Sequence, residues 1–451
     1  MCLAKLKSSC VALIALGILS EGREYCLHAQ VYHNDFEPGP SVRIPFVPGP
    51  DVDASGLDLE GSFFGGFDLP GAKFHGTNLR GARFSQTSFY RSKETPVDPA
   101  SFRGADLRGA VWSQYYRDLQ TADFTDARIE GMVPGPLSPS FFLTPQQIRS
   151  TMSYKLKNLS GFYILGGSLS GNEQPAPTEK WTKVGDSGFV RQVALDLRGF
   201  DLRNTIFSAG DFTRCNFKDA YIHGTRFSAV KITHEQIAST WSWRGRVLDR
   251  ATQEAPIAFT LEYLDCSGWD FSELNLRGST FAHVDLTGAN LRRANLREVT
   301  FIMCKCDEAD FSNADLRGAV HLPIRSVLDD ADIRGATVGR ITSERLRSTA
   351  SYKMGDLSGI TFTTDLSGMD LSRQLLAGCV FLTSALTGTD FTDAVISGCE
   401  FRMFKPEDVP SVEQIKSTWN YKHDRMEGIK MTVLEGLTLP EEFPAVLKNE
   451  K

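Results

Sequence analysis

Carboxylates set at a fixed interval are the first feature that could do chemistry. Asp265 and Asp285 stand twenty positions apart, as do Asp370 and Asp390. Paired carboxylates are what general acid–base work requires. Cys304 and Cys306 flank a single residue, and Cys379 and Cys399 repeat the twenty-residue interval. Thiols so placed are either soft-metal ligands or disulfide partners. Arg277, Arg297 and Arg317 recur at the same interval, with Arg292 offset from them. A guanidinium fork fits carboxylate and sulfate groups. The eight histidines, at 28, 33, 75, 223, 234, 283, 321 and 423, form no HxH, HExxH or Cys/His metal spacing. No G-x-S-x-G elbow, Walker loop or dinucleotide fingerprint occurs.

The twenty-residue interval is a multiple of a shorter one. Between 266 and 316 an apolar residue returns every fifth position: Phe271, Leu276, Phe281, Leu286, Leu291, Leu296, Phe301, Phe311 and Leu316. Two positions earlier stands a small residue, as at Ala289, Ala294, Ala309 and Ala314, and Asp or Asn lies between. The same frame returns at 59–89, 197–227 and 366–401, with shorter runs around Phe102 and Phe124. A period of five fits neither a helix nor a single strand. It marks a repeat architecture, which lengthens without needing new cores, so 451 residues do not imply three globular domains.

On these residues the chain resembles the pentapeptide-repeat family, whose consensus is A(D/N)LXX, over roughly 51–432 with interruptions. The resemblance implies an all-β solenoid: a right-handed quadrilateral β-helix with four pentapeptides per coil, so that residues twenty apart stack. Coils would then pair at the strand spacing of about 4.8 Å. The central Leu or Phe and the small residue before it point inward, while the Asp or Asn and the two residues after the centre face out, where turn formers belong.

Four segments break the frame with one recurring pattern: LTPQQIRSTMSYK from 143, ITHEQIASTWSWR from 232, ITSERLRSTASYK from 341 and PSVEQIKSTWNYK from 410. Thr144, Thr233, Thr342 and Ser411 predict helix N-caps. Gln147, Gln236 and Gln414 three residues on complete capping boxes, from which Arg345 departs. Each segment is expected to form a lateral α-helix of two to three turns, with Ile148, Ile237, Leu346 or Ile415 facing inward. This alternation resembles exported bacterial pentapeptide-repeat proteins carrying similar "EQL-x-STASY" segments, a set for which the resemblance implies architecture and compartment but no activity. The segments could be docking sites for a partner; the reading adopted is that they cover a corner of the solenoid.

The organisation expected is a signal peptide at 1–29, an extended lead-in at 30–50 and a first β-helical block at 51–142. A helical segment with a surface-loop insertion follows at 143–189, then a second block at 190–231 and a helical segment at 232–257. A third block at 258–340, a helical segment at 341–357 and a fourth block at 358–409 lead to a C-terminal helical segment and tail at 410–451. The signal is read from Lys5 and Lys7, an apolar run at 11–19 too short to span a bilayer, and Ala29 as the cleavage position. Cleavage places Gln30 first, changes the formal charge from −6 to −7, and removes three of the nine cysteines. The expected location is extracytoplasmic, secreted or periplasmic, with no membrane span once the signal is gone.

The repeat also accounts for the candidate chemistry. An Asp before each centre explains the stacked carboxylates. Cys304 and Cys306 sit at inward positions, where Cys is a small filler. Cys379 and Cys399 fall within disulfide reach, but parallel side-chain vectors make closure awkward, and the pairing stays open. Catalytic, cofactor and metal residues are therefore expected to be none. The function expected is a non-catalytic extracytoplasmic scaffold or interaction protein of unknown partner. One alternative comes from the resemblance, whose cytosolic members mimic DNA and bind type II topoisomerases through an acidic surface; the signal and the weak net charge count against it, and against any nucleic-acid partner. Another is a β-helical polysaccharide enzyme, for which no groove constellation is evident. The remaining candidate is the column of Arg277, Arg297 and Arg317, with Arg292 on the preceding face, as an edge for an acidic glycan or acidic protein surface, unless Glu298 and Asp315 neutralise it.

Overall fold

The computed structural model describes residues 46, 48–89, 98–113, 119, 121–134, 143–166, 168–170, 181–184, 188–244, 257–322, 325–382, 384–403 and 408–433. All lie in one compact unit, Ser41–Lys451. The expected signal peptide, and the lead-in apart from residues 46 and 48–50, lie outside the described residues.

The register shows how five-residue periodicity becomes a solenoid. Asp53 pairs with Lys73, Asp58 with Asn78, Phe63 with Arg83 and Asp68 with Ser88, all in parallel. One twenty-residue turn thus lays down four short extended pieces, one per face, and the next turn covers each of them. On one face these pieces are long enough to be strands. β1 (Phe63–Gly65), β2 (Arg83–Ser85), β3 (Val111–Ser113) and β4 (Val133–Pro134) form a four-stranded parallel sheet. A helix pair follows, α1 (Pro145–Ser150) and α2 (Met152–Lys155), and then β5 (Tyr163–Leu165). Next come β6 (Ser168–Ser170), β7 (Trp181–Val184) and β8 (Gly188–Arg191). The frame resumes with β9 (Ile206–Ser208), β10 (Arg226–Ser228), α3 (His234–Ala238), α4 (Trp241–Arg244), β11 (Thr260–Glu262), β12 (Thr280–Ala282) and β13 (Thr300–Ile302). The last part comprises β14 (Thr337–Val338), α5 (Ser343–Ser348), α6 (Ala350–Lys353), β15 (Thr361–Phe362), β16 (Val380–Leu382), β17 (Glu400–Met403), α7 (Val412–Ser417), α8 (Trp419–Lys422) and β18 (Lys430–Val433).

Two expectations need correction. The part of the 143–189 segment expected to be a surface-loop insertion, residues 172–188 with their Asn, Pro and Gly, is not all loop. Its described residues are strand: β7 and the start of β8 build a three-stranded antiparallel sheet ordered β6-β8-β7, an excursion outside the five-residue frame. The helical segments also interrupt the ladder less than expected. β10 pairs directly with β11 across the second segment, in a six-stranded parallel sheet that runs from β5 to β13.

The core is a single cluster from Ala54 to Met431. Leu286, Leu291 and Leu296 are fully buried, with Ala289 and Ala294 beside them. A channel this narrow admits a large centre only opposite a small residue. Aromatic centres stack from coil to coil: Phe64 on Phe84 at 4.7 Å, Phe84 on Trp112 at 4.1 Å, Phe281 on Phe301 at 5.5 Å and Phe381 on Phe401 at 4.7 Å. Each buried ring is worth roughly 2–3 kcal/mol. Where Thr replaces the small residue it must satisfy its hydroxyl, and it does. Thr77, Thr205, Thr225 and Thr389 each donate to a carbonyl of the preceding coil at 2.8–2.9 Å.

Candidate functional site

The repeated carboxylates have a local task. Asp265 Oδ1 accepts the N–H of Ser267, Asp285 that of Thr287, Asp310 that of Ser312, Asp370 that of Ser372 and Asp390 that of Thr392, at 2.8–3.0 Å. Each closes an Asx turn at a corner of the coil. The same contacts set the acidities. In Asp285 and Asp370 the strongest influence is the hydrogen bond from Thr287 or Ser372, which holds the carboxyl below its ordinary value. In Asp310, Asp332 and Asp356 burial pushes upward most strongly but is outweighed by hydrogen bonds from Ser312, Arg334 and Ser358. A general acid needs a shift the other way. Asp265 and Asp285 do stack, as do Asp370 and Asp390, but as consecutive turn acceptors.

The thiols are core residues. Cys215, Cys266, Cys306, Cys379 and Cys399 are buried, Cys304 is partly so, and all six are unpaired as disulfides. Burial pushes Cys215 up to about 12 and Cys266, Cys306 and Cys399 well up. Cys379 donates to the Leu357 carbonyl at 3.1 Å and Cys399 to that of Leu376 at 2.9 Å. Among the described residues no group of three His, Cys, Asp or Glu is placed to hold a metal ion.

The arginine column assembles as the interval predicts. Asn275, Asn295 and Asp315 pair in sequence, which stacks Arg277, Arg297 and Arg317 two residues on. Every guanidinium meets a carboxylate. Arg277 contacts Glu298 at 2.9 Å, Arg292 contacts Asp310 at 3.0 Å and Arg297 contacts Asp315 at 2.6 Å. Arg317 contacts Asp315 at 2.6 Å and Asp332 at 3.4 Å. Arg334 continues the series to Asp332 at 2.7 Å and to Asp356 at 3.0 Å. From Arg297 to Asp356 the column is thus a ladder of alternating charge whose repulsions cancel, not a row of free cations. Asp315, half-buried between Arg297 and Arg317, is raised by its burial despite Arg297.

The interrupting segments hold the most specific geometry, part of which the sequence hid. Thr144, Thr233, Thr342 and Ser411 cap their helices, and the boxes with Gln147, Gln236 and Gln414 are complete. The expected single helix is nevertheless two short ones. Thr151 has φ −68° and ψ 155°, leaves the helix, and caps a second turn through the Tyr154 N–H; Thr349 and Thr418 do the same. Thr240 donates to the Ile237 carbonyl at 2.7 Å and accepts the Trp243 N–H at 3.3 Å. The cap glutamine then reaches back to the previous coil. Gln147 Nε2 donates to the carbonyls of Leu119 and Ala122 at 2.7 and 2.8 Å, Gln236 to Phe212 and Cys215, and Gln414 to Leu386 and Thr389. Two residues past the second cap, a side-chain oxygen stands in for a missing strand carbonyl. Ser153, Ser242, Ser351 and Asn420 accept the N–H of Ile129, Ile222, Ile333 and Ile396 at 2.7–3.0 Å. Finally a cation pairs with the aspartate at the adjacent corner: Lys155 with Asp126, Arg244 with Asp219, Lys353 with Asp330 and Lys422 with Asp393. The segment is therefore a stitch that lets a helix pair leave the wall without opening the hydrogen-bond ladder.

All four stitches sit at one corner, because each paired Ile lies two residues before a corner position of one column. That column runs Gly131, Gly161, Asn204, Gly224, Ala258, Gly278, Glu298, Gly318, Gly335, Gly359, Gly378, Gly398 and Gly428, all with positive φ. Successive helix pairs leave after Gly131, Gly224, Gly335 and Gly398, and so are three, five and three coils apart.

Among the described residues no helix is long and apolar enough to cross a membrane. A family model described as pentapeptide repeats matches eight copies, at residues 51–89, 196–233, 265–301 and 364–402. Similar solved structures include a trypsin-treated QnrB1, a plasmid-mediated fluoroquinolone resistance protein, at 15% identity over 54% of this chain and 92% of that one, with TM-score 0.17. Full-length QnrB1 matches at 12% identity over 69% and 93%, with TM-score 0.14. HetL, a pentapeptide repeat protein involved in heterocyst differentiation regulation from the cyanobacterium Nostoc, matches at 15% identity over 78% and 88%, with TM-score 0.09. No curated protein matches the sequence.

Proposed function

This chain belongs to the pentapeptide-repeat proteins, and from that premise we propose that it is a non-catalytic scaffold working outside the cytoplasm. One observation carries the scaffold reading: the chemistry-bearing side chains that recur along the solenoid are occupied in holding the solenoid together. Aspartates that could act as acids or bases are turn acceptors, and in Asp285, Asp310 and Asp370 the turn hydrogen bonds hold the carboxyl below its ordinary value. The candidate arginines are in ion pairs, and five of the six described thiols are buried. What remains for function is a long surface whose rows repeat at about 4.8 Å, fixed by cross-coil bonds. Such a surface recognises by position and shape.

The compartment is supported by the basic start at Lys5 and Lys7, the apolar run at 11–19 and the small residue at Ala29. The test is to express the full chain with its own N-terminus in an export-competent bacterium and sequence the protein recovered outside the cytoplasm. The mature chain is expected to begin near Gln30. Recovery of intact Met1 confined to the cytosol would overturn the extracytoplasmic reading and leave the scaffold reading to be judged alone. The latter is tested by incubating the purified protein with a panel of polysaccharides, where release of new reducing ends would sink it.

A further inference from the structure

One corner of the strand-bearing face changes character abruptly. The residue after each strand stands there in column: Gly166, Ala209, Ala229, Tyr263, His283 and Met303. The first three are small and the next three large. Tyr263 and His283 hold positive φ, 56° and 54°, where a bulky side chain is uncommon. Their rings lie parallel at 4.7 Å, one on each of two successive coils. No third ring covers the other face of Tyr263 from the preceding coil, which offers only the methyl of Ala229 there. Tyr263 accordingly stays 48% exposed despite the stacking, and Ala229 is exposed as well. The result is a step, with a tyrosine face as its riser and Ala229 as its tread.

Polar groups stand beside the step. Arg226, in the coil of Ala229, and Glu262, next to Tyr263, approach across the two coils to 3.8 Å. That distance is beyond a hydrogen bond, so each keeps bonding capacity: the guanidinium donates and the carboxylate accepts. As a pair they are neutral, so the step favours an uncharged ligand. The open side of Tyr263 also suits a ring. A ring at the level of Ala229 lies one coil spacing, about 4.8 Å, from the tyrosine, and His283 stacks on the far side at 4.7 Å. A sugar meets both conditions. Its polarised C–H groups pack on the electron-rich face of the tyrosine, and its hydroxyls donate to Glu262 and accept from Arg226. A nucleobase meets only one, since Arg226, balanced by Glu262, offers no surplus charge to its phosphates. We propose that the step at Ala229 and Tyr263 binds one residue of an uncharged glycan. This deepens the scaffold reading, on which it rests, by naming a ligand that is held and not cleaved.

The test titrates the full chain with neutral hexose and N-acetylhexosamine oligosaccharides, with a uronic-acid oligomer and adenosine monophosphate as the charged and nucleobase comparisons. Hydroxyl-radical footprinting of the wild-type protein requires no variant to fold. It is expected to show Tyr263 protected by at least one neutral sugar, and Met303, exposed at the end of the same column, oxidised as before. Calorimetry should find the affinity for that sugar reduced at least tenfold in Ala229→Phe, which adds a ring to the open side of the stack, and in Tyr263→Ala, which removes the riser. Met303→Ala should leave it unchanged. Failure of every neutral sugar to bind, binding indifferent to Ala229→Phe and Tyr263→Ala, or tighter binding of the uronic acid or the nucleotide at Tyr263 would each overturn the proposal. Release of new reducing ends from a sugar that still protects Tyr263 would sink the scaffold reading and leave the sugar site standing, so the two fail separately.

Discussion

Replacing Gln147 by Ala isolates the energy of one stitch. Its side chain accepts the Thr144 N–H at 2.8 Å and donates to the Leu119 and Ala122 carbonyls at 2.7 and 2.8 Å. One substitution therefore removes three hydrogen bonds, two of which tie the helix pair to the preceding coil. At about 1 kcal/mol net for each, the loss is about 3 kcal/mol. A long repeat array can open locally, so a global melting curve is the wrong readout for the loss of a single stitch. Hydrogen exchange followed by mass spectrometry is the right one. Peptides covering 119–130 and 143–155 should exchange roughly 100-fold faster, the rate equivalent of that energy. Peptides around the third segment should not change. Gln146→Ala, at an exposed position one residue earlier, is the control and should stay within about 0.5 kcal/mol of wild type. A change under about threefold at 119–130, or one matched by the Gln146 variant, would show that the glutamine does not fasten the helix to the wall.

Ser153→Ala leaves the Ile129 N–H buried without an acceptor, so it should cost about 1–3 kcal/mol in the same exchange measurement, with Ser153→Asn retaining most of the stability as Asn420 does in its own segment. Asp285, Asp310, Asp332, Asp356 and Asp370 are depressed in the fold, so their stabilisation is complete above the unfolded carboxylate range and is lost as pH falls through their folded values. The melting temperature should hold from neutrality to about pH 5 and drop below about pH 4, with half-buried Asp315 working in the opposite sense; a flat profile to about pH 2.5 would refute this. Because Arg297 is already engaged by Asp315, Arg297→Ala should leave retention on acidic polysaccharides unchanged at physiological salt, and a clear loss would restore the arginine column as a docking edge. Thiol–disulfide exchange needs thiolate, which burial suppresses, so a denatured, unreduced chain expressed from Gln30 onward should titrate with six free thiols, and four would reveal a bridge, for which Cys379–Cys399 is the candidate.

The β-helix was legible because its code is local and redundant. Leu286, Leu291 and Leu296 can face one narrow channel only if the chain turns a corner every five residues, and the alanines before them say how narrow that channel is. The caps were legible for the same reason, since Thr144 and Gln147 lie three residues apart and bond to each other. The antiparallel excursion of β6, β7 and β8 was not legible. Pairing Leu169 with Phe189 is a long-range choice between segments without the repeat, and the prolines and glycines between them signal turns without saying what the turns connect.

What the sequence concealed about the candidate site was the second bond of each polar side chain. Gln147 looks complete as a cap, yet its amide nitrogen reaches carbonyls twenty-five and twenty-eight residues earlier. Thr151 looks like a mid-helix residue, yet it breaks the helix so that Ser153 can face the Ile129 N–H. A buried main-chain donor facing no strand must find another acceptor. Wherever a helix leaves this wall, the segment must therefore carry its own substitute oxygen at that position. Serine supplies it three times and asparagine once. The same requirement explains why the arginine column was ambiguous from sequence. Stacking at about 4.8 Å brings Arg297 within side-chain reach of Asp315 as well as of Arg317, and the spacing alone cannot say whether such a column is a docking edge or a ladder. The side-chain geometry pairs each guanidinium with a carboxylate. It moves the search for a partner to groups that the solenoid does not use itself, such as the open face of Tyr263.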